Sequence, residues 1–468
     1  MFRSARVRRT GRTEMTKLVP PATKSARHES DVFGYPNFMT VLAGQTVSVF
    51  GSQMAAFAIS IWIYHETGSV IQFATVIAAQ LLPVILLTPL AGVMIDRYRR
   101  KNVMLASEVA LIAASLVIYA LISAGALTPK TILVFAPLMA LLGSVHQIAY
   151  ASSIPLLVPR AAYGKANGFV QVGINGSAAV VPLIAVYALE ILGLGAVILL
   201  NVATYVIAIV SLMFAKFMEM PSSGRKNTGS GLRNMLTQQS FGIRYIWSHS
   251  TLLVLIVFMC AVGFLNGLVL VLFRPMILST ESATVLGWLV TIAGVGGLAG
   301  AIVAAAVSGR DKKVHTLLLA SAISGLSMAC CGLSTHLSLI AVMVFVFSFS
   351  APFILVSAQT LMQTITPTDI QGRVFASRSA LAGIALIAAV ILSPLLSEGL
   401  FGPWMREGGM LAPVADFLAA GKSAGMRVVF ILAGLAMITL SALFLRGRHF
   451  RTLDRQIQKG ELPATHAT

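Results

Sequence analysis

Along most of this chain apolar residues run in blocks of about twenty, each closed by a short polar stretch. About twenty helical residues cross a hydrocarbon core of about 30 Å. The blocks predict twelve spanning helices, over 38–62, 70–95, 103–124, 132–156, 168–189, 195–216, 251–273, 285–308, 316–334, 339–364, 379–396 and 428–445. The fold class expected is an all-α membrane protein of twelve transmembrane helices in two pseudo-symmetric six-helix bundles.

The longest polar interruption, 217–250, separates six blocks from six. It contains PSSGRKNTGSG, a Gly/Ser-rich stretch that cannot bury a core. The organisation expected is a basic cytoplasmic tail (1–37), a first bundle (38–216), a cytoplasmic linker (217–250), a second bundle (251–445) and a basic cytoplasmic tail (446–468). Late in the linker, Leu236, Ile243, Ile246 and Trp247 share roughly one helical face. They predict an amphipathic helix on the membrane surface, or a plain extension of the seventh span. A shift of 208 residues brings Ala91-Gly92 onto Ala299-Gly300, and Pro159 with Gly164-Lys165 onto Pro367 with Gly372-Arg373. Two homologous halves explain this register most simply.

Composition agrees with the pattern: 57% of residues are hydrophobic and 11% charged, against roughly 25% charged in a soluble domain. A net charge of +18 would point to nucleic acid in a soluble protein, but the placement of the charges excludes that reading. With a cytoplasmic N-terminus, all but five of the 34 Lys and Arg residues fall in the tails and cytoplasmic loops, counting Arg378 at a helix mouth. Lys130, Arg274, Arg406, Lys422 and Arg427 are assigned to outer loops. This asymmetry is the positive-inside pattern, and with an even number of spans it puts both termini in the cytoplasm. The Arg-rich start is read as a solvated tail, as residues ahead of a start at Met15, or as a contact for anionic lipid. No cleavable signal is expected, because the first apolar run begins near residue 38 and is long enough to span. Cys260, Cys330 and Cys331 fall inside spans without metal spacing and read as packing residues.

The densest polar knot is AGVMIDRYRRKNV, residues 91–103, a tight turn between the second and third spans. Asp96 sits at the membrane boundary and should meet a cation or a helix N-terminus. The basic residues can bind phosphates or carboxylates and hold the turn inside. This stretch resembles the loop motif of the major facilitator superfamily, Gly-x-Leu-x-Asp-Arg-x-Gly-Arg-Arg/Lys, with Met94 in place of the leucine and Arg99 in place of the second glycine. The resemblance implies a conformational latch of Gly92, Asp96, Arg97, Arg100 and Lys101, with Arg373 and Arg378 as the nearest cations at the start of helix eleven. Thr67-Gly68-Ser69 before span two, Leu82-Pro83 within it and the outer segment 396–430 are similar to the macrolide-efflux and enterobactin-exporter branch, whose members are drug:proton antiporters. An arginine expected in helix four of many proton-coupled relatives is absent, His146 and Gln147 standing in that span instead. The antiporter motif of helix five is only faintly matched by residues 173–182.

Polar side chains inside spans must face protein or water, so each is a candidate for a transport path. Gln45, Ser48 and Ser52 share a face by their spacing. In the resembled fold helices one, four, seven and ten line the cavity. The candidate cargo-binding set is therefore Gln45, Ser48, Ser52, His146, Gln147, Asn266 and Gln359; taken singly, each is as well explained by an interhelical hydrogen bond. Glu108 lies about 8 Å inside span three by helical rise. It is a proton-coupling candidate together with His146, against plainer readings: an ion pair with an arginine of the turn for Glu108, and a packing role for His146.

Gly421-Lys422-Ser423 is no phosphate loop, because Asp416 replaces the earlier glycine and no strand precedes it. Metalloprotease, Cys-x2-Cys and nucleophile-elbow motifs are missing, so no enzyme, metal or cofactor is expected. The function expected is secondary active efflux of an amphipathic small molecule (a drug, a macrolide, or a siderophore or peptide natural product) in exchange for protons, by a monomer in the bacterial cytoplasmic membrane. The alternatives are a facilitator-fold importer or lipid translocator and, in another class, a non-transporting sensor.

Overall fold

The structure, a computed structural model, describes residues 32–159, 162–217, 242–307, 313–367, 370–405, 409, 413 and 423–446; for residues 86–97, 164 and 372 it describes the backbone. Most of both tails and of the linker, and the side chains of Gly92, Asp96 and Arg97, lie outside the described residues.

Twelve helices follow in chain order: α1 Pro36–Thr67, α2 Val70–Arg97, α3 Arg100–Ser123, α4 Pro129–Ser153, α5 and α6 within Tyr163–Phe214, α7 Ser250–Leu278, α8 Ala283–Ala306, α9 Lys313–Leu333, α10 Leu337–Ile365, α11 Gln371–Pro394 and α12 Ala424–Arg446. Among the described residues ten helices are long and apolar enough to cross a membrane. One of them holds both α5 and α6, and α2, apolar over Val70–Ile85, completes the twelve spans. Each sequence-predicted span is a helix. A twelve-helix chain brings residues 36 and 446 to the same side, here called the terminal face, and the opposite side the distal face.

The turns at the distal face are tight. Helix α1 ends at Gly68 (φ 59°, ψ 7°), whose N–H donates to the carbonyl of Tyr64 at 2.8 Å. The left-handed conformation there costs glycine nothing. Between α5 and α6 the whole connection is Gly193 (φ 79°, ψ 167°), a region that only glycine occupies without strain. The sequence reading allowed a loop over 190–194 at this point; the structure needs one residue.

Helix packing is driven by small residues, as expected where lipid offers apolar side chains no penalty for separating. Helices α9 and α12 meet at a glycine pair. A Cβ on Gly434 would lie 2.4 Å from the Gly325 carbonyl oxygen, and one on Gly325 would lie 2.7 Å from that of Gly434.

The two halves touch along α2 with α11, α5 with α8, and α1 with α7. Gly383 packs on Ile85, Gly294 on Ala179 and Gly287 on Val186. Ala74, Val271 and Val390 form one buried cluster, and Met54, Phe57 and Ile61 join Leu268, Leu272 and Met276 in another. All these contacts lie between mid-membrane and the distal face. At the terminal face the first half packs on itself: the cluster of Phe38, Val41, Met104, Ala149, Ile154 and Val158 contains no residue of the second half. The halves thus form a wedge, joined distally and parted toward the termini.

Glu398 strengthens the distal seam. It lies in a π-helical turn, Leu395–Phe401, and accepts a hydrogen bond from the backbone N–H of Val70 at 2.8 Å. A carboxylate of one half thereby satisfies an orphan donor at the N-terminus of a helix in the other.

Two corrections concern the outer cations. Arg274 and Arg427 are not loop residues: Arg274 lies within α7 and Arg427 within α12. Arg427 is buried and donates to the Ser423 hydroxyl at 3.1 Å and to the Ser334 carbonyl. Both helices run farther toward the distal face than apolar content alone indicates, because a partnered arginine is tolerated within a helix.

The late linker residues 242–248 are helical. Ile246 is buried while Ile243 and Trp247 are exposed, and Gly242 abuts the backbone of Arg373 on α11.

Replacing Gly434 by alanine is expected to overpack the α9–α12 crossing, at a cost of about 1–3 kcal/mol. Gly168→Ala, with nothing within 4 Å of the added Cβ, should be neutral or slightly stabilising. Thermal unfolding of the purified protein in detergent checks this; equal melting temperatures for the two variants would refute the close approach.

Candidate functional site

The wedge encloses two cavities, one beside each half. The first, about 660 Å³, is lined by α1 to α6 and by Arg274 of α7, and includes Gln45, Ser48, Ser52, His146 and Gln147. The second, about 550 Å³, is lined by α7 to α12 except for the end of α12 beyond Phe430, and includes Asn266. Five of the expected cargo residues therefore share one cavity, and a sixth stands in the other.

Gln359 does not join them. It is exposed and lies past Ala358, the last position of α10 on the cavity wall. Its place in the sequence near the terminal end of α10 carries it below the cavity.

Behind two polar residues of the first cavity's wall, Gln45 and His146, lies Glu108. This carboxylate is fully buried, and its Oε1 accepts a hydrogen bond from Gln45 Nε2 at 3.2 Å. The same oxygen lies 3.1 Å from His146 Nε2. Three helices meet here: α1 supplies the amide, α3 the acid and α4 the imidazole. Among the described residues this is the single acid–base contact within ion-pair distance. The plainer reading of Glu108, an ion pair with an arginine of the basic turn, finds no such pair among the described residues; the side chain of Arg97 lies outside them. Arg100 instead donates to the Ser152 carbonyl, and Lys101 to the carbonyls of Ala215 (2.9 Å) and Met213 (3.3 Å). Both cations thus cap the C-terminal ends of α4 and α6, where carbonyls lack partners and the helix dipole is negative. Lys101 also sits over the Phe217 ring.

Of the residues that line this cavity, Gln45 Oε1, His146 Nε2, Tyr150 OH and Asn201 Nδ2 are buried without a hydrogen-bond partner among the described residues, and so is Glu108 Oε2 behind them. Leaving such groups dry costs about 1–3 kcal/mol each. Four of them around one cavity mark a place that works wet, or filled by a ligand with matching polar atoms. Nearby, Ser52 hydrogen-bonds the Tyr205 hydroxyl at 3.0 Å.

Sequence reading missed Gln53, Gln80, Asn201, Tyr205 and Arg274, which all line the first cavity. Asn201 and Gln80 carried a usable signal, being lone amides inside apolar blocks. Arg274 was obscured by ending the seventh span one residue early.

The second cavity is mostly apolar, with Phe258, Val262, Phe273, Phe347 and Phe430 among its walls. Its buried Asn266 Oδ1 has no hydrogen-bond partner among the described residues. Cys331 lines it as well, in the packing role that its apolar setting implied.

Of the expected latch, Arg100 and Lys101 are engaged within their own half. Arg373 and Arg378 lie on the first turns of α11. No group of three or more His, Cys, Asp or Glu residues able to hold a metal occurs among the described residues.

The sequence pattern of the Major Facilitator Superfamily matches residues 41–278 and 262–466. The chain is similar to macrolide efflux protein A of Streptococcus pyogenes, with 23% identity over 77% of this chain and 89% of that protein. It is also similar to the multidrug efflux pump Tap of Mycolicibacterium fortuitum, with 25% identity over 84% of this chain and 91% of the relative. Among solved structures, a bacterial homologue of the human lysosomal transporter Spinster superposes with a TM-score of 0.68 at 14% identity, covering 92% of this chain and 99% of that one. The match spans both halves, the efflux relatives align over most of their length, and the helices form the twelve-span fold: the chain belongs to the Major Facilitator Superfamily of membrane transporters.

Proposed function

We propose that the chain is a secondary active exporter that moves an amphipathic small molecule out across the bacterial cytoplasmic membrane in exchange for protons, by alternating access. The observation that carries this reading is the buried Glu108, which lies behind the wall of the first cavity in contact with two of its lining residues, Gln45 and His146. An acid in that position can bind and release a proton only as the cavity changes its exposure, which is what exchange requires. His146, on α4, stands in for the arginine that many proton-coupled relatives carry in that helix. Similarity to efflux proteins supports export as the direction, and the Lys/Arg asymmetry supports the terminal face as the cytoplasmic one.

In this reading the wedge is the cytoplasm-open state. The seam of Glu398 with Val70 and the contacts of α2 with α11 and α5 with α8 close the outside. Switching would part that seam and bring the terminal ends together. Helices α2 and α11 run antiparallel and pack at Ile85 and Gly383. Eleven residues onward along α2 and eleven back along α11, about 16 Å by helical rise, residue 96 comes level with residue 372. In this reading the Asp96 carboxylate latches against Arg373 or Arg378 once the terminal ends close, with Arg97 in the same turn, while Arg100 and Lys101 anchor the turn to its own half.

Efflux-deficient bacteria expressing the chain should accumulate less of at least one member of a panel of anionic, neutral and cationic fluorescent amphiphiles than vector controls, and a protonophore should abolish the difference. Glu108→Gln keeps the shape but cannot ionise, and should slow export by about tenfold or more, the effect of some 1.4 kcal/mol or more. Export that ignores the protonophore and survives Glu108→Gln would remove proton exchange from the proposal; unchanged accumulation of every probe would remove export.

Asp96→Asn tests the latch separately. It should slow export by a similar factor while leaving cargo affinity of the purified protein within about twofold. A variant that transports at the wild-type rate would show that this turn serves orientation alone.

A further inference from the structure

Arg274 is the feature that the proposed function leaves unused. It lies one turn from the distal end of α7, next to Pro275, and its side chain lines both cavities. The guanidinium stands over the Phe57 ring, 4.8 Å from its centroid, and donates to the Ser60 hydroxyl at 3.0 Å. Both partners belong to the first half and Arg274 to the second. A guanidinium carries five N–H donors in a planar fork, and this one has no carboxylate within ion-pair distance among the described residues. A cation in a spanning helix that lacks a carboxylate partner is costly and marks a functional site. A structural arginine in this same molecule looks different: Arg427 is buried against a hydroxyl and a carbonyl and faces neither cavity.

Resting on the reading of these cavities as the cargo site, we propose that the cargo is an amphipathic organic anion, its carboxylate or phosphate bound by Arg274 and its apolar body seated in the second cavity. The fork of Arg274 suits a planar carboxylate or a phosphate held through two bonds. Below it along α7, eight residues or about 12 Å away by helical rise, Asn266 lines the same cavity, and its buried amide oxygen has no hydrogen-bond partner among the described residues. Between and around them the wall is aromatic and aliphatic. The complementary ligand has an anionic end, an apolar middle and a hydrogen-bond donor at about that distance. Because Arg274 also ties the halves together through Ser60, an anion that engages it acts on the tie that helps hold the distal face shut. Cargo binding and the conformational change then share one side chain.

The test uses the full chain in phosphatidylcholine nanodiscs and three fluorescent probes differing only at one end: 12-(dansylamino)dodecanoate, its methyl ester and the corresponding dodecylammonium, with empty nanodiscs as the background. Wild type should bind the carboxylate about tenfold or more tighter than the ester, and the ammonium most weakly. Arg274→Gln should lose about that factor for the carboxylate and leave the ester within about threefold, while Arg274→Lys keeps an intermediate preference. Phe347→Ala should weaken all three probes alike. Adding phosphatidylglycerol to the nanodisc separates two sources of the anion: competition with the carboxylate probe assigns the site to a membrane lipid, and lack of competition to a soluble amphiphile. Equal affinities of wild type for carboxylate and ester would overturn the proposal whatever the variants do, and so would equal losses for both probes in Arg274→Gln. Tighter binding of the ammonium or the ester would overturn the anionic class while leaving amphiphile export standing, and binding of none of the three would count against both.

Discussion

Hydrocarbon cannot solvate a polar atom, and nearly every feature of this molecule answers to that constraint. It forces the backbone into helices that satisfy their own N–H and C=O groups. It then leaves the helix ends as the only unsatisfied backbone, and these ends are met one by one. Arg100 and Lys101 cover the carbonyls at the ends of α4 and α6, Arg427 that of Ser334 beyond the end of α9, and Glu398 the first N–H of α2. The basic turn after α2 is therefore structural in part, whatever else it does, and its charge density follows from the number of helix ends that surround it.

The same constraint sorts the side chains. Many hydroxyls carried by the spans bond back to their own helix, as Ser153 and Ser321 do, Thr284 bonds Glu190 across the halves, and several amides line a cavity. What remains on the outside is apolar or small, and the small residues decide how closely the helices come. Gly294 against Ala179 and Gly383 against Ile85 allow the halves to approach from the middle of the membrane outward. Among the described residues, the buried cluster at the first half's terminal face contains no residue of the second half. A seam of small residues with one carboxylate clasp is easier to part than an interlocked core, which suits a pair of rigid bodies that must rock.

The halves resemble each other in fold and differ in chemistry. The first cavity gathers an imidazole and several amides with a buried acid behind them; the second is a largely aromatic and aliphatic chamber with one amide. Such a division separates the two tasks of an exchanger, holding a proton in one half and an apolar body in the other. Arg274 belongs to both chambers and to the contact between halves, so it is the place where the two tasks can be coupled.

Length and hydropathy alone determined the twelve spans, the even count that brings both termini to one face, and the crowding of Lys and Arg on that face, because each is a local property of twenty-residue segments and the loops between them. The polar candidates on α1 and α4 were legible for the same reason: an amide or histidine in an apolar run has nowhere to go but inward. Sequence could not tell that Glu108 would turn to Gln45 and His146 and not to the arginines eight or nine residues before it in the chain, since that depends on which faces of α1, α3 and α4 meet. Nor could it place Arg274 inside the membrane or Gln359 outside the cavity. A helix reads the same from sequence on all sides, and only its packing against others decides which side chain is buried, which is partnered and which is left for a ligand.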